Sequence, residues 1–201
     1  MSVTLIAGLG NPGREYAGTR HNLGFTVVDA LAAAEGLKWR KESRFEAHTA
    51  RWDVRPGVTR LLVKPATFMN DSGRALRALL DFHKAAVVGL IVAYDDLTID
   101  TGLVKVSVRG SAGGHNGVAS LLEHLGSGFI RYRLGINAPR PAEMDLKDFV
   151  LGKFSPEQNQ IIDQKLNTFV DGLRLLINRG PAEAMNQLNR RDHHDPDPDQ
   201  A

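Results

Sequence analysis

The side chains best placed to do chemistry are one histidine, one aspartate and three asparagines, each where a regular element should start or stop. His21 lies in Thr19-Arg20-His21-Asn22, at a loop-to-helix junction, and Asp95 follows the apolar run 88–93 in Tyr94-Asp95-Asp96. Asn11 sits in the turn Gly8-Leu9-Gly10-Asn11-Pro12-Gly13. Asn70 closes Pro65-Ala66-Thr67-Phe68-Met69-Asn70 after an expected strand, and Asn116 opens an expected helix in Gly113-Gly114-His115-Asn116-Gly117. A histidine with an ordinary pKa of about 6.5 is substantially neutral near pH 7 and can take a proton from water. A carboxylate beside it would orient the ring. Asparagine amides would supply donors and acceptors without charge. Taken singly, each residue has a plainer reading: a structural or solvated histidine, a turn aspartate, asparagines that cap helices. Their convergence is what would make a site.

Such convergence needs a frame that gathers strand ends. Residues 3–9 read as a buried strand and 10–20 as a loop; over 22–35, Leu23, Val27, Val28 and Leu31 recur at helical spacing. Strands are expected over 48–54 and 59–64, turned by Pro56-Gly57, then a helix over 74–83 with Leu76, Leu79 and Leu80 on one face. The run 88–93 reads as a central strand, 104–108 alternates, and 129–136 is another strand. Between the last two, Gly110-Ser111-Ala112-Gly113-Gly114 opens a helix with Val118, Leu121, Leu122 and Leu125 on one stripe. A long amphipathic helix over 156–178 and a short one after Pro181 complete the pattern. Strands alternating with helices predict an α/β fold over residues 1–190: a single-domain three-layer sandwich, its mixed, mostly parallel sheet flanked by helices. Sites in such sheets gather at the carboxyl ends of strands.

Several chemistries are excluded. The 201 residues include no cysteine, which removes disulfides, thiolate metal sites and cysteine nucleophiles and suits a reducing cytoplasm. The N-terminus lacks a basic region and its apolar run is only strand-long, so neither a signal peptide nor a membrane span is expected. There is no Gly-x-Ser-x-Gly elbow and no Walker A sequence, and the seven histidines show no metal-ligand spacing. The first glycine turn is formally G-x-G-x-x-G. A dinucleotide site, however, needs a helix to begin inside it, and helical periodicity waits until about residue 22, with Asp29 inside the helix rather than ending a second strand. No metal or organic cofactor is expected. Net charge is +2; residues 191–201, with four aspartates and one arginine, contribute −3, leaving +5 on residues 1–190. A mildly basic body tolerates an anionic partner without identifying one. The acidic, polar tail reads as disordered.

Four segments together resemble the bacterial peptidyl-tRNA hydrolase family: Gly8-Leu9-Gly10-Asn11-Pro12-Gly13, Thr19-Arg20-His21-Asn22, Lys64-Pro65-Ala66-Thr67-Phe68-Met69-Asn70 and Gly113-Gly114-His115-Asn116-Gly117. They occur in the family's order and spacing, and the likeness runs from about residue 3 to residue 190. The resemblance implies a cytoplasmic, monomeric esterase that hydrolyses the bond between peptide and tRNA without metal or cofactor. It implies that His21 is the general base and Asp95 its orienting carboxylate. Asn11, Asn70 and Asn116 would bind substrate, and Tyr16, Phe68 and Met69 would line the cleft. Arg133 matches a basic position for tRNA phosphate, with Lys105 and Arg109 flanking it. Ser107 departs from the lysine of enterobacterial relatives, which leaves that half of a phosphate clamp to Lys105 or Arg109. Tyr94 stands where many relatives have histidine, and Thr98 where an acidic residue is common. A non-catalytic RNA-binding relative of the same fold is the alternative.

Overall fold

Alternation along the central strands decides where the helices go. The structure, a computed structural model, describes residues 2–140 and 143–190; the acidic segment 191–201 expected as a disordered tail lies outside them. Strand β1 (Ser2–Gly8) sends Leu5 and Ala7 to one face and Ile6 to the other. The later strands are β2 (Arg40–Glu42), β3 (Ala47–Arg55), β4 (Val58–Pro65), β5 (Ile91–Asp100), β6 (Val104–Ser107) and β7 (Ile130–Asn137). β4 and β5 repeat the division of faces, with Leu61, Val63 and Val92 on one side and Leu62, Ile91 and Ala93 on the other. Two apolar faces require two covering layers. Helices α1 (Leu23–Ala34), α5 (Pro156–Arg179) and α6 (Pro181–Leu188) bury one, and α2 (Ser72–His83) and α3 (Asn116–Leu125) the other.

The seven strands form one sheet in the order β2-β3-β4-β1-β5-β7-β6. β3 and β6 run antiparallel to their neighbours; the other five point one way, so the sheet is mixed and mostly parallel. From β1 the chain passes to the β4 side and only later to β5, so the strand order reverses at the carboxyl ends of β1, β4 and β5. That is where crevices open in sheets of this kind.

Some elements around the site differ from the sequence expectation. β5 begins at Ile91, after a 3-10 turn over Val87–Gly89, and runs on to Asp100 rather than stopping before Tyr94-Asp95-Asp96. Its register with β1 nevertheless ends at Gly8↔Ala93, so Asp95 lies in a strand that has outrun its neighbour. A short helix absent from the sequence expectation, α4 (Leu146–Leu151), precedes α5 and is capped by Asp145, whose side chain accepts from Lys147 N–H.

Glycines let α1 sit hard against the strand ends. A Cβ at Gly24 would fall 2.4 Å from Ala93 O and 2.6 Å from Leu9 O, and one at Gly8 would fall 2.4 Å from Gly24 O. All three are backbone atoms that no rotamer change can move. Gly24→Ala should therefore lift the start of α1 off the sheet. We expect a cost of roughly 1–3 kcal/mol by overpacking, read as a melting temperature lower by about 5 °C. Unchanged thermal unfolding would contradict this packing.

Candidate active site

The loop after β1 is shaped by asparagines. Asn22 Oδ1 accepts from Asn11 N–H at 2.8 Å and its amide donates to Asn11 O at 3.0 Å, closing the loop onto the 3-10 turn Arg20–Asn22. Asn11 Oδ1 accepts from Met69 N–H at 2.8 Å, which joins this loop to the loop after β4. The amide orientation of Asn11 is thereby fixed. Its Nδ2 makes no hydrogen bond among the described residues and belongs to a side chain lining the cleft.

The same turn brings His21 over Asp95. Nδ1 of His21 lies 3.0 Å and 3.1 Å from the two carboxylate oxygens, so the ring proton sits on Nδ1 and donates to Asp95. Nε2 makes no bond among the described residues. A third member, His115, reaches Asp95 Oδ1 with Nε2 at 3.1 Å, while its Nδ1 accepts from Gly117 and Val118 N–H at 3.1 Å and 3.3 Å as the N-cap of α3. Asp95 is 3% exposed. Burial pushes its carboxyl up, but His115 and His21 outweigh burial and hold it well below the usual carboxylate range. The donor atoms of His21, Asp95 and His115 lie within 4.8 Å of one another. They suit proton sharing rather than metal ligation: a metal on His115 Nε2 would drive the proton onto Nδ1, against two N–H groups already pointing there.

These residues floor a cleft of about 610 Å³. Asn11, Phe68, Met69, Asn70 and Asn116 all line it, as do Arg109 and Arg133. Tyr16 does not; its ring stands edge-on to Phe68 with centroids 6.4 Å apart. Lys105 does not line it either, although its register on β6 places it opposite Arg133. Arg133 Nε donates to Asp96 at 2.9 Å and its NH2 group to Thr98 Oγ1 at 3.1 Å. Ser107, opposite Arg131 in register, opens onto the cleft.

Four contributors carry no chemical signature that singles them out in one dimension. His115 looks like part of a glycine motif until α3 meets β5. Arg131 is buried and donates to Ser111 O at 2.7 Å and Gly110 O at 2.5 Å, shaping the glycine loop. Lys147, on α4, lines the cleft. Arg20 is buried beside His21, its guanidinium 4.2 Å from the Phe149 ring centroid and donating to Phe149 O at 3.0 Å and Gln158 Oε1 at 2.7 Å. Burial pulls its pKa down from the ordinary value. Gln158 also completes the capping box of α5 with Ser155, so Arg20 ties the histidine turn to both α4 and α5.

An imidazole oriented by a buried carboxylate and open to a cleft lined with amides could serve a hydrolase that activates water. The comparisons agree. The sequence model of the peptidyl-tRNA hydrolase family matches residues 5–196. A peptidyl-tRNA hydrolase of Synechococcus sp. (strain JA-3-3Ab) is 42% identical over 98% of this chain and 87% of its own length. One from Anaeromyxobacter sp. (strain K) is 44% identical over 93% of this chain and 96% of its own. The crystal structure of peptidyl-tRNA hydrolase from Acinetobacter baumannii superposes with a TM-score of 0.85 at 34% identity, covering 93% of this chain and 94% of that one. The chain belongs to the peptidyl-tRNA hydrolase family.

Proposed function

We propose that the protein hydrolyses the ester between a peptide's last carbonyl and the terminal ribose of tRNA, as a cytoplasmic monomer that recycles tRNA in translation. The observation that carries this reading is the bare Nε2 of His21, held by Asp95 through Nδ1 beside three cleft-lining asparagines. Water attacks the ester carbonyl carbon while Nε2 takes its proton. Asp95 stabilises the resulting imidazolium. The carbon–oxygen bond to ribose then breaks, and the imidazolium returns the proton to the leaving ribose oxygen. The free Nδ2 of Asn11 and the amides of Asn70 and Asn116 hold the peptide and the developing oxyanion, while Phe68 and Met69 line the peptide path and Tyr16 backs Phe68. General-base assistance supplies about 10²–10⁴ in rate and a placed oxyanion donor about 10²–10³. These are sufficient for an activated ester, with no metal or organic cofactor assigned a step.

Uncharged amides accept a peptide bond but offer no partner to a bare ammonium, whose burial is costly. The protein should therefore release tRNA from N-acetyl-aminoacyl-tRNA and spare aminoacyl-tRNA with a free amine. Equal cleavage of both would remove the specificity argument. No cleavage by a folded protein that binds tRNA would leave a non-catalytic RNA-binding protein.

Arg133, Arg109 and Lys105 form the basic side assigned to tRNA phosphates, with Ser107 between Lys105 and Arg109 along the chain. Arg133 is held by Asp96 and Thr98, so it meets phosphate in one orientation. Arg133→Ala should weaken tRNA binding without base preference and flatten the dependence of log K on log salt by about one counterion. A titration across salt concentrations checks this; an unchanged slope would move the phosphate contact elsewhere.

A further inference from the structure

His115 is the group in the cleft whose hydrogen-bonding role is settled on both ring nitrogens. Nδ1 faces the N–H groups of Gly117 and Val118 in the first turn of α3, so Nε2 must carry the proton it gives to Asp95. Protonating Nδ1 would break both caps and set a positive charge against the positive end of the helix. His115 Nε2 and His21 Nδ1 meet the same carboxylate atom, Asp95 Oδ1, at 3.1 Å and 3.0 Å. The two rings lie with centroids 4.7 Å apart.

We propose that His115 is a positioning residue: locked by α3 as a neutral donor, it fixes the Asp95 carboxylate and limits how strongly that carboxylate favours a protonated His21. This rests on the reading of His21 as the base. A carboxylate serving only His21 would hold the imidazolium more tightly and leave less of the free base near neutrality. A shared carboxylate still orients the ring but gives up some of that hold. The helix lock also decides which histidine can accept a proton, since both ring nitrogens of His115 are engaged while Nε2 of His21 makes no bond among the described residues.

Other charged groups around the trio are engaged or peripheral. Asp96 and Arg133 pair with each other, Arg131 is spent on loop carbonyls, and Arg109 and Lys147 are exposed cleft-lining residues. Tyr94 touches His115 edge-on, with centroids 5.1 Å apart. Arg20, next in sequence to His21, is directed to Phe149 and Gln158.

The test is His115→Asn, which keeps an oxygen to cap α3 but whose shorter amide no longer reaches Asp95. His115→Ala, which loses both contacts, serves as the structural control. Thermal unfolding should leave the asparagine variant near wild type and lower the alanine variant. In His115→Asn the acid limb of kcat/KM for N-acetyl-aminoacyl-tRNA should move up by about one pH unit. The titration midpoint of the His21 ring, followed by NMR, should move the same way. A midpoint that stays or falls overturns the proposal. A midpoint that rises while the rate profile stands still upholds the role of His115 and removes His21 as the base.

Discussion

His21→Ala should lower kcat for release of tRNA from N-acetyl-aminoacyl-tRNA by about 10²–10⁴-fold, the contribution of a placed general base. KM should change far less, because the proton transfer is made only on the way to the transition state. The substitution is also mild for the fold. The α1 start is held independently by the Asn22 clamp on Asn11 and by Arg20 N–H donating to Gly152 O at 3.0 Å. Loss of activity without loss of tRNA binding or folding would therefore report on chemistry. A fall of less than about tenfold, well short of a general base's contribution, would take that role away from His21.

Asp95→Asn should cost about as much, on the order of 10²–10⁴-fold, by a different route. An asparagine can still accept a hydrogen bond from His21, but it brings no negative charge to stabilise the imidazolium and can present its amide to the ring instead. The acid limb of the pH–rate profile should shift down, opposite in sign to the shift expected for His115→Asn. The carboxylate also links to stability. Its folded pKa is depressed, so its stabilising contribution is fully present above the unfolded value of about 3.9 and is lost as pH falls through the folded value. The asparagine variant lacks that contribution, so its stability relative to wild type should improve on acidification. Denaturant titrations of both proteins from about pH 6 down to about pH 2 enter the window, below about pH 5, in which a single depressed carboxylate acts. A difference in stability that stays constant across that window would contradict the charged state assigned to Asp95.

The parts of the molecule legible in one dimension are those whose burial is repetitive. The 3.6-residue stripe of α5 is readable over 156–178 against an observed Pro156–Arg179, because Ile162, Phe169, Val170, Leu173 and Leu176 all face the core. Two elements have no such pattern. β2 is three residues, Arg40-Lys41-Glu42, an edge strand whose charges discourage further pairing rather than mark burial. α4 is six residues with one buried side chain, Phe149. β5 reads short because its apolar pattern stops where β1 stops covering it, although the backbone continues.

The site divides in the same way. His21, Asp95 and the asparagines are conspicuous for their types and for standing where elements change. Arg20 and Arg131 are cations that face inward onto carbonyls, a use that sequence cannot distinguish from solvated charge. His115 depends on α3 and β5 meeting at Asp95, 20 residues away in the chain. Tyr16, expected to line the cleft, stands one residue back from it beside Phe68, and Lys105, expected at tRNA phosphate, lies opposite Arg133 in register. Their neighbours carry the contact because side-chain direction is settled by turn geometry and strand register.

The central claim is that water, activated by His21, attacks the ester carbonyl of peptidyl-tRNA. The most direct test is cleavage of N-acetyl-aminoacyl-tRNA in ¹⁸O-labelled water, with the released acid and the tRNA analysed by mass spectrometry. The account predicts one labelled oxygen in the carboxylate of the released N-acetyl amino acid and an unlabelled tRNA with an intact terminal ribose. Label in the tRNA, or no cleavage by a folded protein that binds it, would contradict the account.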